Sequence, residues 1–218
     1  MSSLICFALK EEAAPFRKIA AGGLRRGQHF SVLITGIGRR NAETSVRDFL
    51  TASSTERVFT CGFAGGLNPD LEPGDVVFEL PESQLPTPNS QLQAQLLAAG
   101  AKPAKFFCAD RIATSVAEKK KLRDETGADA VEMESGAIQV VCREHGILCA
   151  TVRVISDTAG EDLPLDFNVL SKPDQSLDYG KLFLAIAKSP GKIGALMGLQ
   201  KKTKFAAEQL ADVLTKLI

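Results

Sequence analysis

The chain has 218 residues, 44% of them hydrophobic, which is enough for one sizeable core. Lysine plus arginine and aspartate plus glutamate number 26 each, and the zero formal charge argues against a general nucleic-acid-binding role. The five cysteines show no CxxC spacing, so we expect buried thiols in a reduced compartment. No acidic or thiol cluster surrounds either histidine in sequence, which argues against a metal site. The apolar run Leu4–Leu9 is too short for a signal peptide or a membrane span, and we therefore expect a cytoplasmic protein.

Short apolar runs and helical patterns alternate along the first part of the chain. The predicted strands are Leu4–Ala8, Phe30–Thr35, Val58–Cys61 and Asp75–Leu80. The helices predicted after the first two strands are Glu11–Ala20 and Asn41–Leu50. Gly36 and Gly38 suggest a dinucleotide fingerprint, but Asn41 stands at its third glycine position, so a tight strand-to-helix turn is the better interpretation. We also predict a glycine-rich loop at Gly62–Gly66 and a surface loop at Pro81–Pro88.

The second part of the chain continues this alternation. We predict a helix at Leu92–Ala99, a strand at Ala104–Ala109 and a helix at Ala117–Thr126, whose composition AEKKKLRDE is typical of a solvated face. Helices return at Asp178–Ala187 and Phe205–Leu217, the last with an apolar stripe of Leu210, Val213, Leu214 and Leu217. The pattern predicts a single domain over residues 1–218, a three-layer α/β/α sandwich with a mixed central sheet. Residues 161–218 are its C-terminal helical part, which could form a lid or a dimer contact.

Between these segments lies the stretch from Ala128 to Gly160, which carries the most polar side chains of interest. The apolar runs Ala130–Met133 and Ile147–Ile155 predict buried strands. Ser135 can cap a helix between them, and Gly146 can end it. A strand–helix–strand unit of this kind predicts a parallel pair closed by a right-handed crossover.

Each of these two strands ends in acid. Glu132 and Glu134 lie at the end of the first strand, and Asp157 lies just past the second. Because ligands bind outside the carboxyl ends of the strands in open α/β sheets, we expect these acids at a functional site. The alternative is that they are solvated caps and strand ends.

Four motifs in order support the functional interpretation. VEMES (residues 131–135) followed by RVISD (153–157) resembles the paired signature of the nucleoside phosphorylase and nucleosidase superfamily. ALKEE (8–12) and CGFAGGL (61–67) agree with the same pattern. The resemblance covers residues 4–160 and implies a nucleoside phosphorylase-like fold. It also implies an enzyme that cleaves the N-ribosyl bond of a small-molecule purine nucleoside, with adenine as the expected base.

The resemblance assigns roles to two catalytic candidates. Asp157 would donate a proton to purine N7, so it must be protonated near neutral pH, and burial beside Ile155 and near other carboxylates would favour that form. Ser156 would orient the Asp157 carboxyl group by a hydrogen bond. Glu12 matches the water-activating base of the hydrolytic members. The alternative for Glu12 is an exposed first-turn glutamate that interacts with the helix dipole.

The remaining candidates would bind substrate. Glu134 resembles the glutamate that accepts hydrogen bonds from the ribose hydroxyl groups. Met133 would pack on the sugar or belong to the core, and Glu132 would hold the base edge or orient its neighbour. Ala64 and Gly65, in the glycine-rich segment, would let the backbone approach the base or the nucleophile.

The sequence also departs from the phosphorolytic pattern. Phosphorolytic relatives hold phosphate with an arginine and a serine near the glycine-rich segment, where this chain has Thr60 and Phe63. Neither can bind a dianion through charge, and Glu12 would repel it, so hydrolysis is favoured. Arg39 and Arg40 keep phosphate open as a co-substrate, and no other cofactor is expected. The aromatic residue that stacks on adenine is replaced near Arg111 and Ile112, although an arginine guanidinium can still stack.

The C-terminal part resembles a different subgroup. From Leu163 to Leu214 the pattern is similar to hopanoid-associated phosphorylases, which are proposed to remove adenine from an adenosyl lipid. Apolar and lysine side chains alternate there in a segment that could touch a membrane, surround a lipid-sized pocket, or form a lid or dimer contact. The alternatives to hydrolysis are therefore phosphorolysis, including of a lipid-linked nucleoside, and non-catalytic nucleoside binding. Retention of Glu12, Glu134 and Asp157 together argues against binding alone, and a homodimer is expected by family analogy.

Overall fold

The computed structural model describes residues 2–22, 29–81, 86–170 and 190–218, with the single positions 172, 181 and 184. Within these residues, eight strands form one mixed sheet: β1 (Ser2–Phe7), β2 (His29–Ile34), β3 (Arg57–Gly66), β4 (Val76–Glu79), β5 (Lys102–Pro103), β6 (Phe106–Cys108), β7 (Ala130–Glu132) and β8 (Leu148–Asp157). The helices are α1 (Lys10–Ala21), α2 (Arg39–Ala52), α3 (Pro86–Ala99), α4 (Val116–Thr126), α5 (Ser135–Glu144) and α6 (Ile193–Leu217), the last after a short 3₁₀ turn at Pro190–Lys192. No helix in the described part of the chain is long and apolar enough to cross a bilayer.

The sheet is built around its two longest strands. Its main order is β2-β1-β3-β8-β4-β5, and the ten-residue strands β3 and β8 pair in parallel through nine residue pairs. β4 runs antiparallel to β8, while β7 pairs antiparallel with the last residues of β3 and parallel with β6. The prediction of a mixed sheet is confirmed. β8 is buried from its second residue onward, so any charged side chain in it needs partners inside the protein.

Helices cover both faces of the sheet, which confirms the three-layer sandwich. Ile5 and Phe7 of β1 pack in a cluster that includes residues of α1, α3 and α6, whereas Leu4 and Cys6 pack in a cluster with α2 and α5. This division follows from the alternation of side chains along a strand. The predicted apolar stripe of α6 is buried against the first cluster. All five cysteines are free, and only Cys108 is part-exposed.

Two predictions about the central strands are wrong. Gly62–Gly66 is not a loop, because β3 continues to Gly66, and Gly65 pairs with both β8 and β7. β7 and β8 are not a parallel pair, since each of them pairs instead with β3, and in opposite directions. The acids after β7 therefore do not share a carboxyl edge with Asp157. They are directed back toward the middle of β8.

Smaller differences concern boundaries. α3 already begins at Pro86, within the predicted surface loop, because proline is tolerated in a first helical turn where its missing N–H is not needed. Of the predicted strand Ala104–Ala109 only β6 (Phe106–Cys108) is a strand, β5 lies just before it, and α6 begins twelve residues before Phe205. Most of the predicted helix Asp178–Ala187 lies outside the described residues. The residue that caps α5 is Glu134, and Ser135 is the first residue of the helix.

Candidate active site

Glu12 is buried at the start of α1, with 3% of its surface exposed. Its Oε1 accepts a hydrogen bond from the backbone N–H of Phe63 at 2.8 Å, and its Oε2 accepts one from Leu9 at 2.8 Å. Burial raises the pKa of Glu12 to about 7, against the opposing effects of Arg153 and these hydrogen bonds. The alternative of an exposed first-turn glutamate is therefore wrong.

Arg153 in β8 lies at the centre of a buried charged cluster that also contains Glu12, Glu132 and Glu134. No role was predicted for it from the sequence. Its Nη2 lies 2.6 Å from Glu132 Oε2 and 3.2 Å from Glu134 Oε2, and donates to Thr60 Oγ1 at 3.1 Å. Its Nη1 donates to the carbonyl oxygen of Cys61 at 3.2 Å. Burial alone would lower the pKa of Arg153, but the surrounding carboxylates raise it, so the guanidinium stays charged.

Glu132 is the carboxylate bound most tightly to this guanidinium. Its Oε2 also accepts the backbone N–H groups of Glu134 at 2.9 Å and Ser135 at 2.7 Å, and its Oε1 accepts the Ser135 hydroxyl at 2.5 Å. Burial would raise the pKa of Glu132, but Arg153 and the hydrogen bonds from Ser135 outweigh it, and the pKa is lowered. Of the two roles considered for Glu132, these contacts fit the orientation of its neighbour.

Glu134 joins the cluster to the start of α2. Its Oε1 accepts the backbone N–H of Gly38 at 2.8 Å. Gly38 has a φ of 86°, which glycine adopts without strain, and the turn predicted at Gly36 and Gly38 thus presents its N–H to this carboxylate. Burial first, and then the neighbouring Glu132, raise the pKa of Glu134, although Arg153 opposes them.

Gly62 makes room for the contact between Glu12 and Arg153. A Cβ atom at this position would lie 2.6 Å from Glu12 Oε1 and 2.7 Å from Arg153 Nη1. The residue also has a φ of 144°, a conformation that favours glycine. Since Glu12 and Arg153 both reach this one small residue, their charged ends are neighbours.

Asp157 lies at the end of β8 with a different set of neighbours from those expected. Its Oδ1 accepts the Ser156 hydroxyl at 2.5 Å, which is the hydrogen bond that the sequence analysis anticipated. Its Oδ2 lies 2.5 Å from Nζ of Lys119, a fully buried residue of α4. We expected other carboxylates there and a solvated α4, and the structure instead places an ammonium group against the carboxyl group.

The end of β3 runs past three of the four predicted acids, Glu12, Glu132 and Asp157. Phe63 donates its N–H to Glu12, and Gly65 pairs in register with both Asp157 of β8 and Val131 of β7, just before Glu132. A Cβ atom at Gly65 would lie 3.4 Å from Asp157 Oδ2. The structure thus brings these acids to one segment of the sheet, whereas the buried side chain of Ala64 packs in an apolar cluster with Val77 and Ile155.

Other predicted site residues have contacts of their own. The exposed Arg111 pairs with Glu118, and Arg39, an alternative phosphate ligand, lies 3.6 Å from Asp110. The N–H and carbonyl of Ile112 are both bonded to the side-chain amide of Asn168, at 2.9 and 3.0 Å. Met133 is half-buried, and its contact with a sugar stays a prediction. A cavity of about 530 Å³ lies elsewhere, at the β4–β5 edge, and the acids are not among its described lining residues.

These features define an α/β protein whose buried carboxylates and guanidinium meet on its two central strands. The chain matches the Phosphorylase superfamily over residues 7–78 and 80–186, and it belongs to this superfamily. The aminodeoxyfutalosine nucleosidase of Campylobacter jejuni is 25% identical over 167 residues, which cover 61% of this chain and 69% of that protein. The 5′-methylthioadenosine/S-adenosylhomocysteine nucleosidase of Bacillus cereus is 28% identical over 188 residues, covering 73% of this chain and 79% of that protein.

A solved structure agrees on the fold. The 5′-methylthioadenosine/S-adenosylhomocysteine nucleosidase of Helicobacter pylori, crystallised with butyl-thio-DADMe-Immucillin-A, aligns with a TM-score of 0.72 at 20% identity. The alignment covers 100% of this chain and 97% of that chain. The nucleoside phosphorylase-like sandwich predicted from the motifs is therefore confirmed.

Proposed function

We propose that this chain is a nucleosidase that hydrolyses the N-ribosyl bond of a purine nucleoside and releases adenine as the expected base. One observation carries the proposal: Glu12 is buried, fixed by two backbone N–H groups, and has a pKa of about 7. A general base is most effective when its pKa lies near the working pH. The similarity to nucleosidases of adenine nucleosides supports the same reaction class.

The charge of the cluster favours water over phosphate as the nucleophile. Three carboxyl groups surround the single guanidinium of Arg153, and two of them lie within 3.2 Å of it. A phosphate dianion would have to displace these carboxylates or lie against them, and like charges in a buried site repel strongly. A neutral water molecule meets no such barrier, and Glu12 can accept its proton.

In the proposed hydrolysis the protein accepts one proton from water and donates one proton to the base. Water attacks the anomeric carbon of the sugar and gives one proton to Glu12, while the bond between sugar and base breaks and its electron pair leaves with the base. Asp157, oriented by Ser156, gives a proton to the departing purine. Glu134 would accept hydrogen bonds from the sugar hydroxyl groups and stabilise the positive charge that develops on the ring.

The experiment that tests this proposal compares Glu12→Gln with the matched control Glu11→Gln, an exposed neighbour on the same helix. Adenine release from methylthioadenosine, adenosylhomocysteine and adenosine is measured with and without inorganic phosphate. We expect release without phosphate, a loss of about 10²–10⁴-fold in Glu12→Gln, and wild-type rates in the control. Strict dependence on phosphate would establish phosphorolysis instead, and tight binding without any release would establish a nucleoside-binding protein.

Two further predictions concern the oligomeric state and contact with lipid. A homodimer stays a prediction from family analogy, to be checked by light scattering. Ile193 and Met197 are 45% and 56% exposed on the first turns of α6, where the resemblance to lipid-nucleoside phosphorylases lies. Contact of this face with a membrane or a lipid-linked 5′ substituent also stays a prediction, and a vesicle co-sedimentation assay would test it.

A further inference from the structure

Lys119 is the one buried residue of α4, whose other side chains are half-buried or exposed. Its side chain has 0% exposure, whereas the side chain of its neighbour Lys120 is 73% exposed and pairs with Asp124 on the helix surface. The Lys119 ammonium has three acceptors: Asp157 Oδ2 at 2.5 Å, the Thr158 carbonyl at 2.7 Å and the Glu161 carbonyl at 2.8 Å. Every N–H of an ammonium group is therefore used, and the cation has a fixed position.

The same contacts fix the segment that follows β8. Besides the two carbonyl groups, Asp162 accepts the backbone N–H of Val116 at 2.7 Å, and Leu163 donates to the carbonyl of Thr114 at 2.8 Å. The same segment also contacts α6, because both carboxylate oxygens of Glu161 accept hydrogen bonds from Nζ of Lys202, at 2.6 and 2.8 Å. Lys119 thus ties the chain after Asp157 to α4, while Glu161 ties it to α6.

We propose that Lys119 is a positioning residue that acts through Asp157: together with Ser156 it fixes the orientation of the carboxyl group. This inference rests on the proposed function. One Asp157 oxygen is held by Ser156 and the other by Lys119, so the orientation of the carboxyl group is set before substrate arrives. Lys119 keeps all its own protons in this arrangement, so its contribution is the position of the Asp157 carboxyl group and not a proton.

The test measures kcat and KM for adenine release by Lys119→Met, with Lys120→Met as the matched control on the same helix. We expect kcat to fall about 10- to 100-fold, part of the 10²–10⁴-fold that a positioned acid contributes, with KM changed by less than about threefold. The control should keep wild-type values. Lys119→Gln, which has two N–H donors in place of three and a shorter side chain, cannot reproduce the three contacts and provides a second variant with the same expected loss if Lys119→Met does not fold.

A double variant separates this role from a purely structural one. If Lys119 acts through Asp157, adding Lys119→Met to Asp157→Asn should not lower kcat further, because the two effects are not additive. Equal losses in both backgrounds, or normal kcat in the folded Lys119 variants, would overturn the inference. A wild-type protein that releases no base from any nucleoside would instead refute the proposed function.

Discussion

Arg153→Met is the substitution with the largest expected effect on stability. Removing the guanidinium leaves Glu132 and Glu134 buried without the cation that lies 2.6 and 3.2 Å from them, and Glu12 loses the same favourable charge. Removing one partner of a buried ion pair costs about 3–5 kcal/mol, because the remaining charge is left unpaired. We therefore expect the free energy of unfolding to fall by about 3–5 kcal/mol at pH 8, a change of roughly 10²–10⁴-fold in the unfolding equilibrium.

The assay is urea unfolding followed by circular dichroism, with Arg47→Met as the control. Arg47 also binds two carboxylates, Glu43 at 3.0 Å and Glu144 at 2.6 Å, but its side chain is 38% exposed. Exposed ion pairs are weak because solvent screens them, so the control should lose much less stability than Arg153→Met. Because Arg153 and Arg47 each lie against two carboxylates, a difference between the two variants reports the effect of burial and not of the number of ion pairs.

The pH dependence of the stability loss in Arg153→Met tests whether unpaired buried carboxylates cause it. In the wild type, the pKa values of Glu12 and Glu134 are already raised by burial, so both bind protons more readily in the folded than in the unfolded state. Without Arg153 this preference increases, and protonation recovers stability as the pH falls through the folded-state pKa values. The deficit of Arg153→Met should therefore be largest at pH 8 and smaller near pH 5. A loss equal to that of Arg47→Met, or one that does not shrink at low pH, would refute the reasoning.

Three further predictions concern activity. Because Glu12 must be ionised to accept a proton and its pKa is about 7, kcat/KM for base release should fall about tenfold per unit below that pH; a flat rate between about pH 5.5 and 8 would contradict this role. Gly62→Ala would place a Cβ atom 2.6 Å from Glu12 Oε1, so we expect at least a roughly tenfold loss of kcat. Gly146→Ala is the control: Gly146 has a φ of 66° and no heavy atom within 4 Å of its Cβ position, so the substitution should cause only backbone strain and leave the activity unchanged. Asp157→Asn should fold, as judged by circular dichroism, and lose about 10²–10⁴-fold in kcat; a near-normal rate would place the acid elsewhere.

The motifs identified the carboxylates but not the groups that hold them. Glu12, Glu134 and Asp157 could be predicted because each lies in a short motif that resembles a family signature. Arg153 stands inside one of the same motifs, within a run that otherwise predicts a buried strand. A charge at such a position indicates buried partners, and the carboxylates just after β7 were available to supply them.

Other features could not be derived from local pattern. The glycine-rich segment of β3 has the composition of a loop, but pairing with two strands from elsewhere in the chain overrides that preference. The direction of β7 depends on the same long-range pairing, since three residues carry no signal of direction. Lys119 was hidden by its charged neighbours, although its spacing of three from Leu122 places it on the inner side of α4.

The central claim is that Glu12 directs water, rather than phosphate, at a nucleoside held by this cluster. The most direct measurement is the identity of the sugar product formed from methylthioadenosine when water and inorganic phosphate are both present, by chromatography and mass spectrometry. We expect the free reducing sugar together with adenine. A sugar 1-phosphate as the main product would contradict the claim, because it would mean that a dianion enters a site already occupied by carboxylates.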